Sequence, residues 1–227
     1  MAKPYDLSSK LLLEADPLAW LHYVGLPARR ATLLETNVSN VGIDLDKVIR
    51  VESARRYIAH VEFVSPSERR FDRRMLRYGA VLFDLYNLPV QGVAILLRRK
   101  ADGPSMRGLA GYRLGPDGRM EYAFRVIRIW EQPVESFLSG SLATVPLAPL
   151  SDVAEGDLPG IVGEMGQRIR REARPGQAAI LWTATTLLNG YALSALADRA
   201  TDEGSAGYEG IGDVSGDSEG RQGRWPP

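Results

Sequence analysis

Apolar residues recur along the chain with two spacings, and the switches between them predict the elements. From Leu7 to Tyr23, the residues Leu11, Leu12, Ala15, Leu18, Ala19 and His22 recur at three- and four-residue steps, which predicts a helix interrupted at Pro17 and ended by Gly25 and Pro27. Three short runs follow, Ala31–Val38, Asp44–Val51 and Tyr57–Val64, rich in β-branched and large apolar residues, and they predict strands. Ser65 followed by Glu68 has the form of a capping box, so a helix is expected from there to about Tyr86. Phe71, Met75, Tyr78, Leu82 and Leu85 give it one apolar face. Val90–Leu97 is almost wholly apolar, as in a strand covered on both faces. The order is helix, three strands, helix, strand.

After Ala101-Asp102-Gly103-Pro104 the spacing returns to that of strands. Arg107–Leu114 and Arg119–Trp130 flank Gly115-Pro116-Asp117-Gly118, a turn sequence, and predict a β-hairpin. A proline-containing loop, Glu131 to Asp152, leads to two helices, Leu158–Glu172 and Gln177–Asp198. The expected architecture is α/β: a mixed sheet flanked by helices, with residues 1–100 as the core, 101–152 as a hairpin extension and loop, and 153–198 as a helical pair. Residues 199–227 read as a disordered tail. Seven of the 23 glycines fall within Thr201–Pro227, and few large apolar residues are there to offset ordering entropy.

Charge adds one correction to a bland composition. The 28 Lys+Arg balance 28 Asp+Glu. Residues 201–227 hold six acids and two arginines, so residues 1–200 carry +4 and that last stretch −4. The absence of cysteine excludes disulfides, thiolate metal sites and cysteine nucleophiles. With His22 and His60 the only histidines, a metal would be a hard cation such as Mg²⁺ or Mn²⁺, held by carboxylates. Leu11-Leu12-Leu13 is too short for a secretory segment, and a cytoplasmic location is expected. Gln177–Ala197 is uncharged and long enough to span a bilayer, yet its Thr, Asn, Gln and Ser suit a helix packed in protein, so no membrane is expected.

Two clusters carry candidate chemistry. Asp46 and Glu62 each stand in an otherwise apolar strand, where a carboxylate is costly unless it is paired or binds a cation. If the strands pair, the two can meet and hold Mg²⁺; alternatively each pairs with Arg50 or an arginine of the following helix. Arg70, Arg73, Arg74 and Arg77 fall on one helical stripe, suited to phosphates of DNA or to a solvated face with salt bridges to Glu68, Asp72 and buried carboxylates. His60 is expected to be structural, although its chemistry admits a general base. Walker, dinucleotide, serine-hydrolase and zinc signatures do not occur.

This order of elements, with an Asp on the second strand and a Glu on the third, resembles the PD-(D/E)XK nuclease superfamily. More narrowly, it is similar to the bacterial recombination-promoting nuclease, or putative transposase, branch. The resembling stretches are Pro4–Lys10, Asp16–Leu21, Asp46–Val51, His60–Phe63, Arg73–Tyr78, Leu88–Val90 and Leu181–Thr185. The resemblance implies a restriction-endonuclease-like fold acting on DNA phosphodiesters with Mg²⁺. It implies Asp46 and Glu62 as metal carboxylates, and a Lys or Gln two residues beyond the Glu. Val64 stands there instead, leaving Lys47 or an arginine of residues 70–77 to supply that group. An inactive relative that binds DNA or a protein partner is the alternative. The oligomeric state is open, a homodimer included.

Overall fold

The computed structural model describes residues 4–34 and 47–189. The predicted first helix is two helices, α1 (Pro4–Ala15) and α2 (Pro17–Tyr23). Proline lacks the N–H a helix interior needs, but fits at the first helical position. Pro17 takes that place, and the Asp16 carboxylate caps α2 by accepting from the Ala19 N–H at 3.0 Å. The indole of Trp20, fully buried, donates to the Leu12 carbonyl at 3.0 Å and ties the two helices together.

The strands are β1 (Arg30–Leu34), β2 (Lys47–Glu52), β3 (Tyr57–Val64), β4 (Val90–Leu96), β5 (Leu109–Leu114) and β6 (Gly118–Arg128). They form one mixed sheet in the order β1-β2-β3-β4-β6-β5. The first three are antiparallel neighbours; α3 (Phe71–Tyr86) crosses over to β4, which runs parallel to β3. β6 then pairs parallel with β4, from Gly92–Phe124 to Leu96–Arg128. The hairpin expected as an extension is therefore part of the central sheet.

Side-chain alternation divides the core between the two faces. Ile49, Val51, Ala59, Val61, Phe63, Val93 and Ile95 pack with α1, α2, α5 (Leu158–Glu172) and α6 (Pro175–Asn189). The stretch expected as a loop joins this core through Phe137 of the short helix α4 (Glu135–Leu138) and through Val145, Leu147 and Ala148. Arg168 of α5 donates to the carbonyls of Leu138 and Gly140, which close α4 against it. One core thus spans the proposed divisions at residues 100 and 152. On the opposite face α3 covers Val48, Ile58, Val64, Ala94, Leu96 and Phe124.

α3 ends at Tyr86 as expected, but its start and its last inward position differ from expectation. It begins at Phe71, preceded by Arg70 in the left-handed conformation (φ 64°), and Ser65 to Arg70 form the entry loop. Leu85 is exposed, because Tyr86 takes the last inward position against the Val48–Ile58–Leu82 cluster. Among the described residues no helix is long and apolar enough to cross a membrane. The tail 199–227 and the end of the last predicted helix lie outside the described residues.

Candidate functional site

β3 places His60, Glu62 and Val64 on the face covered by α3. All three are buried, Glu62 at 3% exposure and His60 at 0%. One Glu62 carboxylate oxygen, Oε1, lies 2.8 Å from His60 Nε2; the other, Oε2, accepts from Arg74 Nη2 at 2.9 Å. Arg74 reaches the Glu68 carboxylate as well, at 3.1 Å. Its guanidinium lies over the rings of Phe71 and Tyr78, with centroids at 5.0 and 5.7 Å. The Tyr78 ring in turn meets His60 edge-on at 5.5 Å. Burial pushes the Tyr78 hydroxyl above its ordinary range, and the positive charge of Arg74 opposes that shift.

The geometry follows from the helix register. Phe71 and Met75 point into the sheet, and Tyr78 follows one turn later. Arg74 lies between these inward positions, at the margin of the apolar stripe, so its stem can cross buried rings while its head meets a strand carboxylate. Glu62 therefore has the partner that one sequence reading gives it, an arginine of the following helix. A buried carboxylate is tolerated because a cation and a second hydrogen-bond partner replace its water.

The structure brings together only part of the predicted site. Asp46 lies outside the described residues. Lys47 stands opposite Val61 in the β2–β3 ladder, on the α1 side of the sheet, where its ammonium pairs with Glu14. It therefore faces away from Glu62. Val64 is 3% exposed and packs with Phe71, Met75, Ala94 and Leu96. The arginine stripe is divided: Arg74 turns inward, while Arg73 and Arg77 are exposed on α3 and Arg70 is exposed just before it. Arg77 lies over the Tyr78 ring at 5.4 Å. Glu68, read from the sequence both as a capping residue and as a salt-bridge partner of the stripe, takes the second role, and Arg74 is the arginine that it meets.

Among the described residues, those around Glu62 do not by themselves make a Mg²⁺ centre. Hard divalent cations take several free oxygen ligands. Here one carboxylate has each oxygen engaged, by an imidazole and by a guanidinium, and a valine fills the position where the resemblance calls for an amide or amine. Among the described residues, no group of three or more His, Cys, Asp or Glu is placed to hold a metal ion. A separate open depression of about 820 Å³ lies beside α5, lined in part by Glu164, Gln167, Arg168 and Arg171. It shares no residue with the Glu62 cluster, and Glu172 engages both of its arginines.

No protein-family model, curated protein or solved structure matches the chain.

Proposed function

We propose that the chain is a nuclease-like DNA-binding protein in which the phosphodiester site is closed, so that it binds DNA and hydrolyses it weakly or not at all. The observation that carries this reading is the engagement of Glu62 by both His60 and Arg74 beneath α3. A carboxylate held in this way is a structural anion. The exposed Arg70, Arg73 and Arg77 remain to meet a phosphate backbone, and they would do so without reading sequence. The element order, with β1 to β3 antiparallel and β4 returning parallel after α3, agrees with the resemblance that suggested DNA.

A second reading, a Mg²⁺-dependent nuclease, is favoured by the ladder register. Its last described pair, Lys47 opposite Val61, is one residue short of a pair between positions 46 and 62. Fluorescence anisotropy with a labelled duplex, beside plasmid cleavage in Mg²⁺ and Mn²⁺, separates the two readings. We expect binding that weakens with salt, and a salt slope reduced by up to about 3 in the triple variant Arg70→Gln/Arg73→Gln/Arg77→Gln. Cleavage should stay at background. Absence of DNA binding by the parent overturns the proposal; cleavage abolished by Glu62→Ala establishes the second reading.

A further inference from the structure

At the far side of the sheet from β1, β5 is an edge strand, paired on one side by β6. Five of its six residues are exposed. The Gly108 carbonyl accepts from the Phe124 N–H at 2.9 Å. Antiparallel pairs alternate between hydrogen-bonded and non-hydrogen-bonded. Ala110, Tyr112 and Leu114 therefore bond toward β6, and Leu109, Gly111 and Arg113 turn their N–H and C=O groups outward. The devices that ordinarily blunt an edge are largely missing. The strand has no proline or lysine, and its register runs unbroken from Leu109–Ala123 to Leu114–Gly118.

Two further features mark the same edge. Tyr112, Leu114 and Met120 share one face of the hairpin and are 60, 77 and 43% exposed. Arg107 at its base and Asp117 in its turn are both exposed, with opposite charges at opposite ends of β5. Gly111 has φ 156°, and a Cβ there would lie 2.1 Å from the Met120 carbonyl oxygen. The middle of the edge is thus bare backbone, without a side chain to hold a neighbour away.

An antiparallel pairing of two copies about a twofold axis at Gly111 satisfies all of this. Leu109 of one copy then opposes Arg113 of the other, and the outward N–H and C=O groups of both strands find partners. Ala110 lies opposite Tyr112 on the apolar face, so the exposed side chains of both copies form one surface. Arg107 of each copy reaches the turn of the other, which carries Asp117, and symmetry makes that ion pair twice. We propose that the β5 edge is a homodimer interface, formed by this antiparallel pairing of Leu109–Leu114 about Gly111, with Arg107 of each copy against Asp117 of the other.

Sedimentation velocity of the full chain over a concentration series tests this, with circular dichroism to verify the fold of each variant. The parent should show a concentration-dependent dimer, and Leu114→Asp, at a site already exposed to water, should be monomeric. Arg107→Glu and Asp117→Lys should each weaken association about tenfold, since two ion pairs become two like-charge pairs. The combined exchange Arg107→Glu/Asp117→Lys should restore the parent's affinity. A parent that stays monomeric, or a dimer that ignores Leu114→Asp, overturns the interface. Failure of the combined exchange to recover overturns the pairing about Gly111.

Discussion

Removing the charge of Arg74 while keeping its stem isolates what holds Glu62 in the sheet. Arg74→Met leaves an aliphatic chain over Phe71 and Tyr78 and deletes the guanidinium that donates to Glu62 at 2.9 Å. Breaking a fully buried ion pair by deleting one partner costs about 3–5 kcal/mol, because the other charge is left uncompensated. Glu62 meets that condition, with its side chain 4% exposed, but the Arg74 side chain is 28% exposed. Water can enter where the guanidinium was and screen part of the loss, so we expect about 2 kcal/mol. For a chain of this length that is a fall of roughly 4–8 °C in Tm.

Glu62→Gln keeps the shape and removes the charge, and should cost about 1–2 kcal/mol through weakened hydrogen bonds. In the double variant neither charge remains, so its cost should fall short of the sum by about 1–2 kcal/mol. Urea denaturation of the four proteins at pH 7 measures this coupling. Glu68→Gln is the control: Glu68 is one-third exposed, and its loss should cost less than about 1 kcal/mol. Effects that add to within about 0.5 kcal/mol, or an Arg74→Met variant as stable as the parent, would refute the claim that the guanidinium is what makes the buried carboxylate tolerable.

Val64→Gln places an amide among Phe71, Met75, Ala94 and Leu96, and should lower stability by about 2 kcal/mol in urea melts while plasmid cleavage stays at background; a gain in cleavage would show the site open after all. At high pH a different group governs. Burial pushes the Tyr122 hydroxyl up to about 12 from an ordinary 10.0, so the unfolded chain ionises first and stability falls as pH rises through that interval. Tyr122→Phe should make the decline shallower above pH 10 in alkaline melts, although Tyr23, raised by the same cause, preserves part of it.

Elements defined by spacing are legible in the sequence, and those defined by what they pack against are less so. Leu158–Glu172 is legible to the residue, because its apolar positions follow one helical period throughout. β4 reads as buried on both faces from its unbroken apolar run, and it lies between two packed layers. Pro17 reads as an interruption, but its place at the first turn of a second helix depends on Asp16 as the cap. The loop around Val145–Leu150 has no period, so nothing in the sequence announces that Val145, Leu147 and Ala148 enter the core. Lys47 is expected near Glu62 on the strength of the resemblance. Strand alternation instead puts it through the sheet, beside Glu14 of α1. The partnership of Glu62 with a helical arginine is among the sequence readings, but the choice of Arg74 over Arg70, Arg73 or Arg77 requires the helix's rotation about its axis.

That rotation is set by where α3 begins, and the beginning is a competition the local signal loses. Ser65 and Glu68 have the spacing of a capping box, which would start a helix right after Ser65. A capping Glu68 would direct its carboxylate back to the Ser65 N–H. It lies instead 3.1 Å from Arg74. A capping box satisfies two backbone donors at a surface, for about 1 kcal/mol. The alternative gives Arg74 two carboxylates, one of them buried and otherwise facing a penalty of several kcal/mol. Relief of the buried charge outweighs the cap. The chain remains irregular through Arg70, which takes a left-handed turn that a non-glycine residue adopts at some cost, and the helix starts at Phe71. Phe71 and Met75 are thereby directed into the sheet with Arg74 between them, level with Glu62. On this account the charge at position 62 helps to set the start of α3. Neutralising it should also loosen the turn from Ser65 to Arg70, which amide hydrogen exchange across that segment in Glu62→Gln would detect as faster exchange than in the parent.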